Sequence, residues 1–215
     1  MSKVDEKRPE IDGEPRKAAL RRHLIENNVR IDEAHGPYRT IVRTKYLNSY
    51  EFAFLGDSIL YGMFMDGGMV ISCPGADLAR IGSKDIEEFI TERGVKRIGI
   101  LGGTNDLVPK HAEPGQSTPI EEIKPRLVNI INQYKNAGLK VAICKVPSRK
   151  GYEDEIIEMN KMYRKVCKEL KVTFIEYKKF TFVGTSNDGL HPDPKFIQIL
   201  TKDLFKGLDA LRATQ

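Results

Sequence analysis

The sequence predicts an α/β fold, in which one parallel sheet of about five strands carries helices on both faces. Five short apolar runs recur along the chain after residue 50, and longer amphipathic segments lie between them. Short, continuous apolar runs are typical of strands buried on both faces of a parallel sheet, and alternating β and α elements form doubly wound sheets. With 215 residues the chain is long enough for one domain with a full core.

The predicted strands are runs of aliphatic and aromatic residues without charge. They span residues 52–55, 69–73, 98–101, 141–144 and 172–175. Glycine or proline follows each of the first four runs within three residues and is expected to end it.

Amphipathic segments between and after these runs predict four helices. These span residues 83–93, 119–136, 153–170 and 194–211. Gly94 and Gly138 are expected to stop the first two, and Ser83 is a plausible N-cap of the first.

The first 47 residues do not show this alternation. Pro15 can open a helix through residues 16–25, whereas residues 30–49 have no clean period. We therefore predict a basic N-terminal extension over residues 1–47, partly helical or disordered, followed by the α/β domain over residues 48–215.

Composition argues against several classes of protein. No apolar run approaches the roughly 20 residues that span a bilayer, and residues 1–16 lack the apolar segment of a secretory signal. We therefore expect a cytoplasmic or nuclear protein without a membrane span. Cys73, Cys144 and Cys167 show no CxxC or His/Cys pairing at metal-ligand spacing, so we expect no metal. We expect no organic cofactor either.

Three polar strings stand at positions where a parallel sheet builds its ligand site. Gly56-Asp57-Ser58 follows the first predicted strand, Gly103-Thr104-Asn105-Asp106 follows the third, and Asp188-Gly189-Leu190-His191 precedes the last helix. Ligands of open α/β sheets bind beyond the carboxyl ends of the strands. We therefore expect one site to collect all three strings.

These strings supply the groups of nucleophilic acyl transfer. The Ser58 hydroxyl needs a base to remove its proton, His191 is the candidate base, and Asp188 lies three residues earlier, where its carboxylate can orient the imidazole. The backbone N–H groups of Ser58 and Gly75 and the amide of Asn105 are candidate donors to the oxyanion that forms. The sequence therefore predicts a serine hydrolase site.

Other residues of the strings have supporting roles in this interpretation. Asp57 is expected to hold the turn that presents Ser58, and Asp106 to brace the loop beside Gly103 through Asx-type hydrogen bonds. The alternative is that Ser58 and His191 are ordinary loop residues of an unrelated α/β protein, and their combination in this order weighs against it.

Residues 50–212 resemble the SGNH, or GDSL-type, hydrolases, whose motifs contribute Ser, Gly, Asn and His. The resemblance implies a flavodoxin-like, three-layer α/β/α fold with a five-stranded parallel sheet in the order 2-1-3-4-5. It also implies catalytic Ser58, His191 and Asp188, with Gly75 and Asn105 in the oxyanion hole. The short interval before Cys73-Pro74-Gly75-Ala76 is similar to that of retroelement-type esterase domains, and the string that ends at His191 is similar to that of platelet-activating-factor acetylhydrolases.

Two functions follow as expectations. The first is a serine ester hydrolase that cleaves a small acyl group, such as acetyl, through an acyl-enzyme on Ser58. The alternative is an RNA-binding or scaffold module of a ribonucleoprotein, with weak or no catalysis, that contacts RNA or a protein partner through the basic extension. A net charge of +5 and the retroelement-like spacing favour this alternative. The oligomeric state stays open.

Overall fold

The computed structural model describes residues 30–34, 40–44, 50–61, 63, 68–109, 111–177, 189–192 and 194–212. The described strands are β1 (Arg30–Ala34), β2 (Thr40–Thr44), β3 (Phe52–Gly56), β4 (Gly68–Ser72), β5 (Arg97–Leu101), β6 (Lys140–Cys144) and β7 (Thr173–Ile175). The helices are α1 (Leu78–Ile81), α2 (Lys84–Glu92), α3 (Thr104–Leu107), α4 (Ile120–Asn136), α5 (Glu153–Glu169) and α6 (Pro194–Asp209). Two 3-10 turns, Ser58–Leu60 and Ala210–Arg212, complete the described elements.

The predicted parallel sheet is confirmed. Strands β4, β3, β5, β6 and β7 lie side by side and parallel, which is the order 2-1-3-4-5 when the five are counted along the chain. Gly56 at the end of β3 is in register with Ser72 of β4 and Leu101 of β5. Because these three strands end level with each other, the residues that follow them meet at one edge.

Two strands that the sequence analysis did not predict extend this sheet. β1 pairs antiparallel with β2, and β2 pairs antiparallel with β4. Both carry charged residues, Arg30, Asp32 and Glu33 in β1 and Arg43 in β2, so neither is an apolar run, and both lie in the region of residues 30–49 where no clean period was found. The helix predicted over residues 16–25 lies outside the described residues, and the division at residue 47 stays a prediction.

The four predicted helices are present as α2, α4, α5 and α6, with ends within two residues of those expected. The single-turn helices α1 and α3 were not predicted. Ser83 occupies the N-cap position of α2, but its side chain makes no cap hydrogen bond, and its hydroxyl accepts instead from Arg80 at 3.2 Å.

Apolar side chains fill both faces of the sheet. One cluster packs α2, α4 and α5 against the sheet through residues such as Leu55 and Ile100, and the other packs α6 against the opposite face through Phe54. The three cysteines are buried and free. Within the described ranges, no helix is long and apolar enough to cross a membrane.

Candidate active site

A tight turn at the end of β3 presents Ser58. Asp57 caps the turn, since its Oδ1 accepts a hydrogen bond from the Ile59 N–H at 2.9 Å, and Ser72 donates its hydroxyl to the Asp57 carbonyl at 2.9 Å. Gly56 has no room for a side chain, because a Cβ there would lie 2.3 Å from the Leu101 carbonyl oxygen. The position of Ser58 is therefore set by buried contacts on three strands.

Ser58 and His191 meet across the site. Ser58 Oγ lies 2.7 Å from His191 Nε2, although 133 residues separate them in sequence. This distance fits a hydroxyl that donates to an unprotonated ring nitrogen. Asp188, predicted to orient the imidazole, lies outside the described residues.

The loop that carries His191 packs against the loop that follows β6. The backbone N–H of Lys150 donates to the Gly189 carbonyl at 3.1 Å. Gly189 has φ +67°, and a Cβ there would lie 2.7 Å from Lys150 Cβ, so the two loops touch at this point. Pro192, just after the base, is buried.

Two of the candidate oxyanion donors follow β4 and β5: Gly75 lies in the turn after β4, and Asn105 lies in α3, just after β5. Asn105 donates one amide hydrogen to the Ala76 carbonyl at 2.9 Å, which joins its side chain to the backbone beside Gly75. Gly75 is exposed and left-handed, with φ +77°. Among the described residues, no acceptor pairs with the backbone N–H of Ser58 or Gly75. Two backbone donors and the second Asn105 hydrogen are therefore available to a ligand.

Asp106 ties this region to the helices. Its side chain is 0% exposed, its Oδ2 accepts from the Leu78 N–H at 2.8 Å, and its Oδ1 accepts from Arg126 at 3.1 Å. These contacts reach α1 and α4, so they are not the local Asx bonds that were expected. The two contacts therefore join the segment that carries Asn105 to α1 and α4.

Gly103 is held by a close contact that the sequence did not reveal. It has φ +116°, and a Cβ there would lie 2.1 Å from the Tyr163 hydroxyl oxygen, which donates to the Gly102 carbonyl at 3.1 Å. Tyr163 lies between Met159 and Val166 on the apolar face of α5, where an aromatic residue is ordinarily core. The sequence therefore carried no signal for its contact with the site.

Burial changes the ionisation of both carboxyls near Ser58. Burial raises the pKa of Asp57 to about 7; the Ile59 hydrogen bond opposes this, the neighbouring Asp106 adds to it, and Arg149 opposes it. Burial also raises the pKa of Asp106 to about 6, against the hydrogen bonds from Leu78 and Arg126. Asp57 Oδ2 is buried without a hydrogen-bond partner in the described part of the chain.

The described residues contain no cluster of three or more His, Cys, Asp or Glu side chains that could hold a metal ion.

No protein-family model and no curated protein matches this chain in sequence. Solved structures do match its fold. A family 3 carbohydrate esterase from Talaromyces cellulolyticus superposes with a TM-score of 0.61 at 16% identity, over 77% of this chain and 99% of the esterase. A GDSL-like lipase from Bacteroides thetaiotaomicron gives 0.60 at 12% identity, over 90% and 98%.

An acetylxylan esterase from Geobacillus stearothermophilus, solved as a catalytic mutant, superposes with a TM-score of 0.57 at 12% identity, over 75% of this chain and 95% of the enzyme. At these identities the likeness is one of fold. The chain has the α/β fold of the SGNH and GDSL-type hydrolases.

Proposed function

We propose that this protein is a serine ester hydrolase that acts through an acyl-enzyme on Ser58. The observation that supports this most strongly is the 2.7 Å separation of Ser58 Oγ and His191 Nε2. A serine hydroxyl is a weak nucleophile until a base within hydrogen-bond reach takes its proton. The separation supplies this arrangement at the edge of the sheet where ligands of this architecture bind.

In the proposed reaction, His191 Nε2 takes the Ser58 proton as Oγ attacks the ester carbonyl carbon. The carbonyl oxygen becomes an oxyanion that accepts hydrogen bonds from the Ser58 and Gly75 N–H groups and from Asn105. As the carbon–oxygen bond to the alcohol breaks, His191 returns the proton to the departing oxygen. Water then attacks the acyl-enzyme by the same route and releases the acid.

Asp188 completes the proposal as the carboxylate that orients His191. Its position in the sequence, three residues before the base, carries this role. Asp57 is a less suitable partner for the imidazole, because its Oδ1 caps the turn at Ile59. Asp106 is engaged by Leu78 and Arg126.

For the acyl group we propose a small one such as acetyl. Leu60 and Met63, which directly follow the nucleophile, are 0% exposed and belong to the core under α6, so they do not wall an acyl pocket. An acetyl esterase of similar fold, with a TM-score of 0.61 at 15% identity, holds an acetate ion in its solved structure.

Labelling with a fluorophosphonate probe and hydrolysis of p-nitrophenyl acetate test the proposal. Ser58→Ala should abolish labelling and lower the hydrolysis rate at least about 1000-fold. Ser83→Ala is the matched control, because it removes a serine hydroxyl outside the site, and it should leave both unchanged. An unlabelled, inactive wild-type protein would contradict the proposal.

A further inference from the structure

The loop that backs His191 carries a group of positive charges. This loop follows β6 over residues 145–151 and includes Lys145, Arg149 and Lys150. Its contact with Gly189, two residues before the base, places it on the His191 side of the site. We refer to these three side chains as the basic loop cluster.

Two cations of the basic loop cluster, those of Arg149 and Lys145, lie against aromatic rings. The Arg149 guanidinium carbon lies 5.3 Å from the centre of the Tyr152 ring, and Lys145 Nζ lies 5.9 Å from that of Tyr177. The stem of Lys150 runs along Gly189. In the described ranges, no carboxylate lies within ion-pair distance of any of the three.

Other arginines of the chain differ in this respect. The described ion pairs join Arg80 to Asp85, Arg97 to Glu51, Arg126 to Asp106 and Arg164 to Glu176. Cations beside the site that no carboxylate of the described ranges neutralises are suited to attract an anion.

The positive charge of Arg149 acts on Asp57, the residue before the nucleophile. It lowers the pKa of Asp57, the buried residue before Ser58, against the larger effect of burial. On the opposite, Gly75 side of the site, the carboxylate of Asp77 caps α1 and raises the pKa of Asp106. Charged groups therefore flank both sides of the site: the basic loop cluster lies on the His191 side, where Asp188 is also proposed, and Asp77 lies on the Gly75 side.

In the proposed mechanism, the two sides of the site hold different parts of the substrate. His191 returns its proton to the departing alcohol oxygen, so the alcohol portion of the ester must lie on the His191 side. Resting on the proposed hydrolase function, we propose that the basic loop cluster binds an anionic group, a carboxylate or a phosphate, on the alcohol portion of the substrate ester. Arg149 and Lys150 are then specificity-determining residues.

Two acetate esters that differ in charge on the alcohol test this. 4-Acetoxybenzoate carries a carboxylate on the leaving phenol, and methyl 4-acetoxybenzoate is its neutral match. The readout is kcat/KM for 4-acetoxybenzoate divided by kcat/KM for its methyl ester. Effects that are common to both esters cancel in this ratio. Arg149→Gln should lower this ratio about fivefold, and 0.5 M salt should lower the wild-type ratio in the same direction.

The matched control is Arg93→Gln. Arg93 also stacks its guanidinium on a ring, that of Phe89, at 3.5 Å. It lies between α2 and the start of β5, at the amino ends of the parallel strands, whereas the site lies at their carboxyl ends. It should leave the ratio unchanged. Arg149→Lys should restore most of the ratio, which a purely structural role of the guanidinium would not allow.

A second pair of esters tests the side of the site. In mono-4-nitrophenyl succinate the charge lies on the acyl portion, and its methyl ester is the neutral match. Arg149→Gln should change the kcat/KM ratio of this pair less than that of the first pair. Equal or larger changes overturn the assignment to the alcohol side. Turnover of both acetates with no change of ratio in Arg149→Gln combined with Lys150→Gln overturns this inference alone. Failure of the wild-type protein to hydrolyse either acetate overturns the proposed function and this inference with it.

Discussion

The two sides of the candidate active site are anchored by different kinds of contact. On the nucleophile side, buried side chains hold the loops: Asp57 caps the turn of Ser58, and Asp106 joins the loop of Asn105 to α1 and α4. On the base side, Leu190 packs against the core under α6 and the backbone N–H of Lys150 donates to the Gly189 carbonyl, but Lys150 is itself exposed. Substitutions that break the contacts of the nucleophile side should therefore lower the free energy of unfolding, whereas substitutions at the contact between Gly189 and Lys150 should mainly displace His191.

The largest loss of stability is expected from Gly103→Ala. The new Cβ would lie 2.1 Å from the hydroxyl oxygen of Tyr163, a side chain that is fully buried and cannot move aside, and φ +116° is unfavourable for alanine. We expect the free energy of unfolding to fall by about 4 kcal/mol. Urea denaturation of the purified variant measures it.

Gly115→Ala separates the steric contribution from the backbone one. Gly115 also has a positive φ, +81°, but a Cβ there would meet no atom within 4 Å. Its cost should be only about 1 kcal/mol. Equal losses in the two variants would show that Tyr163 does not confine the loop.

A smaller loss, of about 3 kcal/mol, is expected from Asp106→Ala. The substitution leaves the buried Leu78 N–H without its acceptor and Arg126 without its partner. Because Asn105 is adjacent, kcat for p-nitrophenyl acetate should fall as well. Denaturation and steady-state kinetics measure the two effects.

Arg126→Met is the control for the ion pair alone. The Arg126 side chain is 41% exposed, so its removal should cost about 1 kcal/mol or less. A loss as large as that of Asp106→Ala would assign the stabilisation to the ion pair and not to the Leu78 hydrogen bond.

The elements of the fold that the sequence could predict differ in burial or length from those that it could not. β3, β4 and β5 are buried along their whole length, so the sequence shows short, largely apolar runs there, and α2, α4, α5 and α6 are long enough to show an amphipathic period. β1 and β2 are not apolar runs, and β1 pairs with β2, which pairs in turn with β4, a strand distant in sequence. Their formation depends on the edge of β4, which no local pattern reports.

The site divides in a similar way. Ser58 and His191 could be predicted because the Ser58 string follows a predicted strand and the His191 string precedes the last helix, and the structure brings the two side chains together. The contacts of Tyr163 and Arg126 could not, because each is made to a distant loop by a residue that looks like ordinary core or surface in its own helix. The prediction of Asx-type bonds for Asp106 was wrong for the same reason, because its hydrogen-bond partners, Leu78 and Arg126, are distant in sequence.

Asp57→Asn tests the electrostatic cost of the nucleophile side. The raised pKa corresponds to about 4 kcal/mol at pH 8, and the unpaired amide hydrogens of the buried asparagine should offset about half of it. With its pKa raised to about 7 from an ordinary 3.8, the folded protein retains a proton on Asp57 that the unfolded chain loses above about pH 4. The stability from this group is therefore complete below pH 4 and is lost as the pH rises to 7. Asparagine keeps the acceptor for Ile59 without the charge, so the variant should be the more stable protein at pH 8.

Denaturation curves from pH 4 to pH 8 measure this difference. The wild-type free energy of unfolding should decline over this range, and the decline should be smaller in Asp57→Asn, with Asp106 supplying the remainder through its pKa of about 6. Parallel curves for the two proteins would show that Asp57 is ionised in the folded state at pH 4.

The smallest change of stability, about 1 kcal/mol or less, is expected from Gly189→Ala on the base side. Its Cβ would lie 2.7 Å from Lys150 Cβ, but Lys150 is exposed and its loop can give way. This relief moves the segment that carries His191, so kcat for p-nitrophenyl acetate should fall about 10-fold, because catalysis depends on the 2.7 Å contact with Ser58. Gly151→Ala, with φ +81° and no atom near its Cβ, should cost as much stability without the loss of turnover. If Gly189→Ala destabilised the protein as strongly as Gly103→Ala, the two sides would be equally rigid, and the comparison would be wrong.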